Sequence, residues 1–277
     1  MGLDKFNLSE KTALITGASG LLGYQHSAAL IENGARVILT DLNLEDLSST
    51  KSALLEEFKE ANIFVREMDV TDSQNILSVY ESLSKENIYV DILVNNAAID
   101  PKVENKEDKN EWSRLENFSL TQWDKEISVG LTGAFLCSQI FGTDMASRGK
   151  GGVILNIASD LSVISPDQRL YRRVDKTEEN QPVKPITYSV IKTGLIGLTM
   201  YLSTYWANKK VRCNALSPGG VKVNQSKEFV ERLENLIPLG RMASPDEYRA
   251  TVQYLCSDAS EYLNGQNIVV DGGRSIL

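Results

Sequence analysis

Seven short β-rich runs recur along the chain, at 13–16, 36–40, 63–68, 92–94, 153–157, 211–215 and 268–270. Between them lie longer segments with helical spacing of apolar positions, as at Leu195, Leu198 and Leu202. Strands that are apolar throughout are buried on both faces, and each parallel crossover must pass over the sheet. The pattern therefore predicts an α/β fold, a doubly wound parallel sheet with helices on both faces. No composition break divides the 277 residues, so a single domain over 1–277 is expected. The last helix has a start signal: Ser244 as cap, Pro245 in the first turn and Glu247 completing a capping box.

Two charged, aperiodic insertions interrupt this rhythm, near 100–117 and 166–185. Loops of that length inside a compact domain are usually functional or mobile. The first carries Trp112 and Phe118, aromatics that either pack over a pocket or anchor their own loop. The second carries Arg169, Tyr171, Arg172 and Arg173.

The first strand runs into Thr16-Gly17-Ala18-Ser19-Gly20-Leu21-Leu22-Gly23, followed by a helical segment. Glycines between strand and helix let the backbone turn tightly and approach a pyrophosphate at the positive helix end, the signature of a Rossmann dinucleotide site. The second strand ends at Asp41, whose carboxylate would accept from ribose hydroxyls and repel a 2′-phosphate, selecting NAD over NADP. A strand-end aspartate that starts a turn or caps the next helix is the alternative. Asp69-Val70 and Asn95-Asn96-Ala97-Ala98 follow the third and fourth strands, at the carboxyl ends where ligands bind.

Tyr188 and Lys192, four apart, share one helix face. A phenol is a weak base at neutral pH, but a neighbouring ammonium favours its phenolate and makes it useful for proton transfer. Net charge is −8, an unfavourable average field for nucleic acid. With one histidine, His26, and three scattered cysteines, Cys137, Cys213 and Cys256, neither a multi-histidine metal site nor a serine–histidine triad is expected. The first ten residues lack the basic and apolar regions of a signal peptide, and no apolar run reaches membrane-spanning length, so a cytoplasmic protein is expected.

In order and context, residues 16–23, Asp69-Val70, Asn95 to Ala98, Ser159, Tyr188 with Lys192, and Pro218-Gly219 resemble the short-chain dehydrogenase/reductase family over nearly the whole chain. The resemblance implies NAD-dependent hydride transfer at a secondary alcohol or ketone. Ser159 would hold the substrate oxygen, Tyr188 exchange its proton, and Lys192 bind the nicotinamide ribose while lowering the tyrosine pKa. Gly17, Ser19, Gly20, Leu22, Gly23, Asp41, Asp69, Val70, Asn96, Ala97, Ala98, Pro218, Gly219 and Val221 would contact the cofactor, with Tyr188 and Lys192. A homotetramer is also implied, with 267–273 near an interface.

The chain departs from the family pattern in three places. The glycines are spaced GxxGxxG, Gly130 stands where an asparagine commonly supports a proton relay, and the interval from Ser159 to Tyr188 is long. The stretches 166–172 and 181–185 resemble short-chain dehydrogenases of bacterial nonulosonate and surface-glycan synthesis, such as legionaminic acid pathways. They suggest an amino-sugar or sugar-phosphate substrate, with Arg169 and Arg172 as anion readers. An epimerase or dehydratase with retained NAD, and an idle NAD-binding regulator, stay open as alternatives.

Overall fold

The computed structural model describes residues 3–99 and 111–277. All seven runs become strands: β1 (Thr12–Thr16), β2 (Arg36–Asp41), β3 (Ile63–Glu67), β4 (Ile92–Asn95), β5 (Gly152–Ile157), β6 (Val211–Pro218) and β7 (Asn267–Val270). They form one sheet in the order β3-β2-β1-β4-β5-β6-β7, every neighbouring pair parallel. The winding reverses between β1 and β4, which opens a crevice at their carboxyl ends.

Nine α-helices connect and cover the sheet: α1 (Leu21–Glu32), α2 (Leu44–Glu57), α3 (Ser73–Lys85), α4 (Leu120–Ile127), α5 (Gly133–Cys137), α6 (Thr143–Arg148), α7 (Ile186–Tyr205), α8 (Lys227–Glu234) and α9 (Arg249–Cys256), among the described residues. Strand alternation splits the core into two layers. Ile15, Val94 and Leu155 pack towards Ala28 and Leu30 of α1, Leu47 of α2 and Val252 of α9. Leu14, Leu93 and Ile154, one residue out of phase, pack towards Ile76 of α3, Cys137, Met145 and Leu202. Short polar residues start several helices by accepting from unpaired first-turn amides: Asn43 for α2, Asp72 for α3, Ser119 for α4 and Ser226 for α8.

The last helix starts later than its sequence signal. The Ser244 amide does donate to Glu247 Oε2 at 2.8 Å, half of a capping box, but the Ser244 hydroxyl donates to Asp246, residues 245–248 form turns, and α9 begins at Arg249. Tyr248 explains the delay: it is fully buried, and its hydroxyl donates to the Gly219 carbonyl at 2.9 Å. Anchoring that ring outweighs a slightly longer helix.

Residues 100–110 of the first insertion lie outside the described residues. Trp112 and Phe118 pack on each other, ring centroids 6.1 Å apart, as loop anchors. The second insertion is a packed cover. Leu170 is buried with Val230 and Leu233 of α8, and Tyr171 lies against Phe229. Gln181 ties the loop together, donating to the carbonyls of Arg173 and Lys176 and accepting from the Arg173 amide. The three cysteines are free and buried, and burial pushes each thiol up to about 12.

Candidate active site

The glycine turn is built by close approach of backbones. Gly17 has φ +64°, and a Cβ there would sit 2.8 Å from Ala97 Cα. A Cβ on Gly23 would lie 2.2 Å from the Gly17 carbonyl oxygen, so Gly23 lets α1 seat directly on the turn. Gly20 is different: its Cβ would meet only the Gly17 carbonyl oxygen, at 3.3 Å, and the residue faces the cleft. The Thr16 hydroxyl accepts from the amides of Asn96 and Ala97, and Asn96 Nδ2 donates to the carbonyls of Thr16 and Gly17, all at 3.0 Å. Asn96 is therefore the brace that holds the turn against the end of β4.

A cleft of about 640 Å³ opens over this turn, the size of a cofactor site. Gly17, Gly20, Leu22 and Asp41 line one end, with Asp69, Val70, Asn96, Ala97 and Ala98 beside them. Ser19 and Gly23 are not on its wall; the Ser19 amide instead donates to Asp41 Oδ2 at 3.1 Å. Asp41 also accepts from the Leu42 amide, and it does not cap α2, because Asn43 does. No lysine or arginine occurs among residues 16–23 or 41–43, next to that carboxylate. Pro218, Gly219 and Val221, at and after the end of β6, line the far wall.

Ser159, Tyr188 and Lys192 line the same cleft. Lys192 is buried, its ammonium donating to the Ile157 carbonyl at 2.8 Å and lying 5.7 Å from the Tyr188 ring centroid. Ser159 is buried after β5, its hydroxyl donating to Asp160 Oδ1 at 2.9 Å. Asp160 Oδ2 accepts from Arg274 at 2.7 Å, a pair whose side chains are 5% and 8% exposed. Thus the C-terminal segment reaches back to the residue that orients Ser159. A phenol, an ammonium and a hydroxyl beside a dinucleotide-shaped cradle can exchange one proton with an alcohol as its hydride leaves.

Residues 17–275 match the family model described as enoyl-(acyl carrier protein) reductase. The chain is 31% identical over 281 residues to the NAD-dependent glycerol dehydrogenase of Listeria innocua, covering 99% of this chain and 98% of that one. It is 31% identical over 279 residues to the D-threitol dehydrogenase of Mycolicibacterium smegmatis, covering 98% and 95%. The chain belongs to the short-chain dehydrogenase/reductase family. It is an oxidoreductase of CH–OH groups that uses a nicotinamide cofactor. A gluconate 5-dehydrogenase from Burkholderia cenocepacia, solved with NADP and tartrate, superposes with a TM-score of 0.83 at 26% identity, covering 100% of both chains. These relatives bring no support to the narrower surface-glycan likeness.

Against the short-chain dehydrogenase/reductase pattern, the Gly130 departure has a steric cause. Gly130 lies in a π-helical turn, Ser128–Thr132, between α4 and α5, where a Cβ would sit 2.8 Å from Ile191 Cγ2. Ile191, the neighbour of Lys192 in sequence, fills the space a side chain would need. The substrate wall also differs from expectation. Arg169 is paired with Asp167 at 2.6 Å and its side chain is 80% exposed, while Arg172 pairs with Glu178. Neither lines the cleft, because carboxylates of their own loop engage both outside it. The insertion instead presents Leu170, Tyr171 and Lys184, joined by Lys125 of α4 and by Arg274. Lys184 carried a signal in its position four residues before Tyr188; Arg274, more than a hundred residues from Asp160, carried none.

Proposed function

We propose that this enzyme oxidises a secondary alcohol of a polyol or sugar-derived substrate, with NAD as hydride acceptor. The observation that carries the reading is the convergence of Ser159, Tyr188 and Lys192 on the cleft that also contains the glycine turn and Asp41. The cradle suits a dinucleotide: Gly20 leaves room at the start of α1, and Asp41 stands where ribose hydroxyls would be read. The Asp41 carboxylate, with no lysine or arginine among residues 16–23 and 41–43, favours NAD over its 2′-phosphorylated form, although the Burkholderia relative was solved with NADP. The glycerol and threitol activities of the two relatives support a polyhydroxylated substrate.

Bound nicotinamide supplies the hydride acceptor. Tyr188 takes the proton of the substrate hydroxyl as the carbinol carbon is oxidised, and the buried Lys192 ammonium favours the phenolate needed for that step. Ser159, its hydroxyl oriented by Asp160, fixes the substrate oxygen. The phosphate of a sugar phosphate would meet Lys184 and Lys125 rather than Arg169 and Arg172.

The test is reduced-cofactor formation with NAD and with NADP on polyols, sugar acids and phosphorylated amino sugars. NADH production from at least one polyol or sugar alcohol is expected. Cofactor binding without turnover on any substrate would instead mark an idle binding protein, and product formation without net NADH an epimerase or dehydratase.

A further inference from the structure

Tyr188 faces two ammonium groups, and one has no part in the proton transfer above. Lys184 Nζ lies 3.8 Å from the Tyr188 ring centroid, nearer than Lys192 at 5.7 Å. Its position is built. The Lys184 amide donates to Gln168 Oε1 at 2.8 Å, and Pro185, the cap residue of α7, joins it to the turn that carries Tyr188. Proline fixes φ at this junction, so the second insertion delivers Lys184 to the tyrosine along a short, stiff segment.

We propose that Lys184 is a second cation that sets the protonation of Tyr188. The inference rests on the reading of Tyr188 as the proton-exchanging group. A cation over an aromatic face is attracted by the ring quadrupole, and it interacts more strongly still once the phenol carries a full negative charge. The difference between those two interactions lowers the tyrosine pKa.

The other charges around the tyrosine leave room for this effect. On α4, Lys125 lines the cleft, while the buried Glu126 accepts from Gln122 at 2.5 Å and from the Thr187 hydroxyl next to Tyr188. Beside Ser159, Asp160 and Arg274 largely cancel each other. Tyr171 stands on the same wall. His26 feels the charge of Lys192, but burial lowers its pKa to about 3, so it adds no charge at neutral pH. Glu126 therefore opposes the phenolate, and Lys184, Lys192 and Lys125 favour it.

The test is the pH dependence of kcat/KM for alcohol oxidation, with tyrosinate absorbance of the cofactor-free protein as a second readout. Subtracting the titration of Tyr188→Phe from that of the parent protein isolates Tyr188. Lys184→Met, which keeps the stem and removes the charge, should move both the acidic limb and the isolated titration about 1 unit to higher pH. High pH should rescue its rate, and Lys184→Arg should stay near the parent profile. A merely structural role would lower the rate at every pH and leave the limb in place. Unmoved limb and titration in a folded Lys184→Met would overturn the proposal, and Lys184→Gln serves the same purpose should the methionine variant fail to fold. Persistent turnover in Tyr188→Phe would overturn the reading of Tyr188 itself, a separate outcome.

Discussion

The two ends of the cleft are built on different principles. At the cofactor end, backbone meets backbone: Gly17 and Gly23 allow contacts that any side chain would block, and Asn96 and Thr16 tie β1 to β4 through main-chain groups. At the substrate end, side chains from distant segments meet: Asp160 after β5, Arg274 near the C-terminus, and Lys184 from an insertion. The first construction tolerates little change in shape because its parts are main chain. The second adapts more readily, since one substitution replaces one contact. One end is thus shaped by main-chain contact, the other by side chains gathered from distant segments.

The largest expected effect on this contrast comes from Arg274→Ala. It leaves the buried Asp160 carboxylate without its cation and should cost about 3 kcal/mol of stability. It should also lower turnover, because Asp160 orients Ser159, while NAD affinity stays near the parent value. Urea denaturation and cofactor titration together check this; equal losses at both ends would dissolve the contrast.

The cofactor half buries an imidazole, His26 on α1, with neither ring nitrogen partnered among the described residues. Its pKa falls from 6.5 to about 3 because burial penalises the imidazolium, with Lys192 adding to the shift. The folded pKa lies below the unfolded one, so the unfolded chain takes up the proton first. The contribution to stability is thus fully present above about 6.5 and is lost as pH falls towards 3, by up to about 1.4 kcal/mol per pH unit. His26→Leu should flatten that slope in thermal melts across this window, and an unchanged slope would assign the acid sensitivity to other groups.

Asp41→Ala should weaken NAD binding and narrow its preference over NADP by about tenfold, the worth of one charge-assisted contact. Competitive cofactor titration decides it; unchanged discrimination would remove Asp41 as the ribose reader. The smallest effect is expected at the cover: Arg169→Ala should leave KM unchanged for phosphorylated and unphosphorylated sugars alike, because that guanidinium points into solvent and pairs with Asp167. A selective rise for the phosphorylated sugar would return Arg169 to the binding surface.

Local patterns carried most of the fold in the sequence. Each strand announced itself by a short β-rich run, and the glycine turn by spacing, since these depend on neighbours along the chain. The start of α9 was misread for the opposite reason: what delays it is Tyr248 reaching the Gly219 carbonyl, a contact between distant segments. The arginines of the second insertion were read as anion ligands because their charges were visible, while their pairing with Asp167 and Glu178 depends on how the loop turns. The Asp160–Arg274 pair had no local trace at all.

If one cleft unites a dinucleotide cradle with a proton-exchanging phenol, turnover depends on the Tyr188 oxygen and cofactor binding does not. Tyr188→Phe tests it most directly, because the substitution keeps the ring and removes only the oxygen. On the best alcohol substrate, single-turnover NADH formation should fall about 1000-fold while calorimetric NAD affinity stays within a few-fold of the parent value. NADH formation at near the parental rate in the phenylalanine variant would contradict the account.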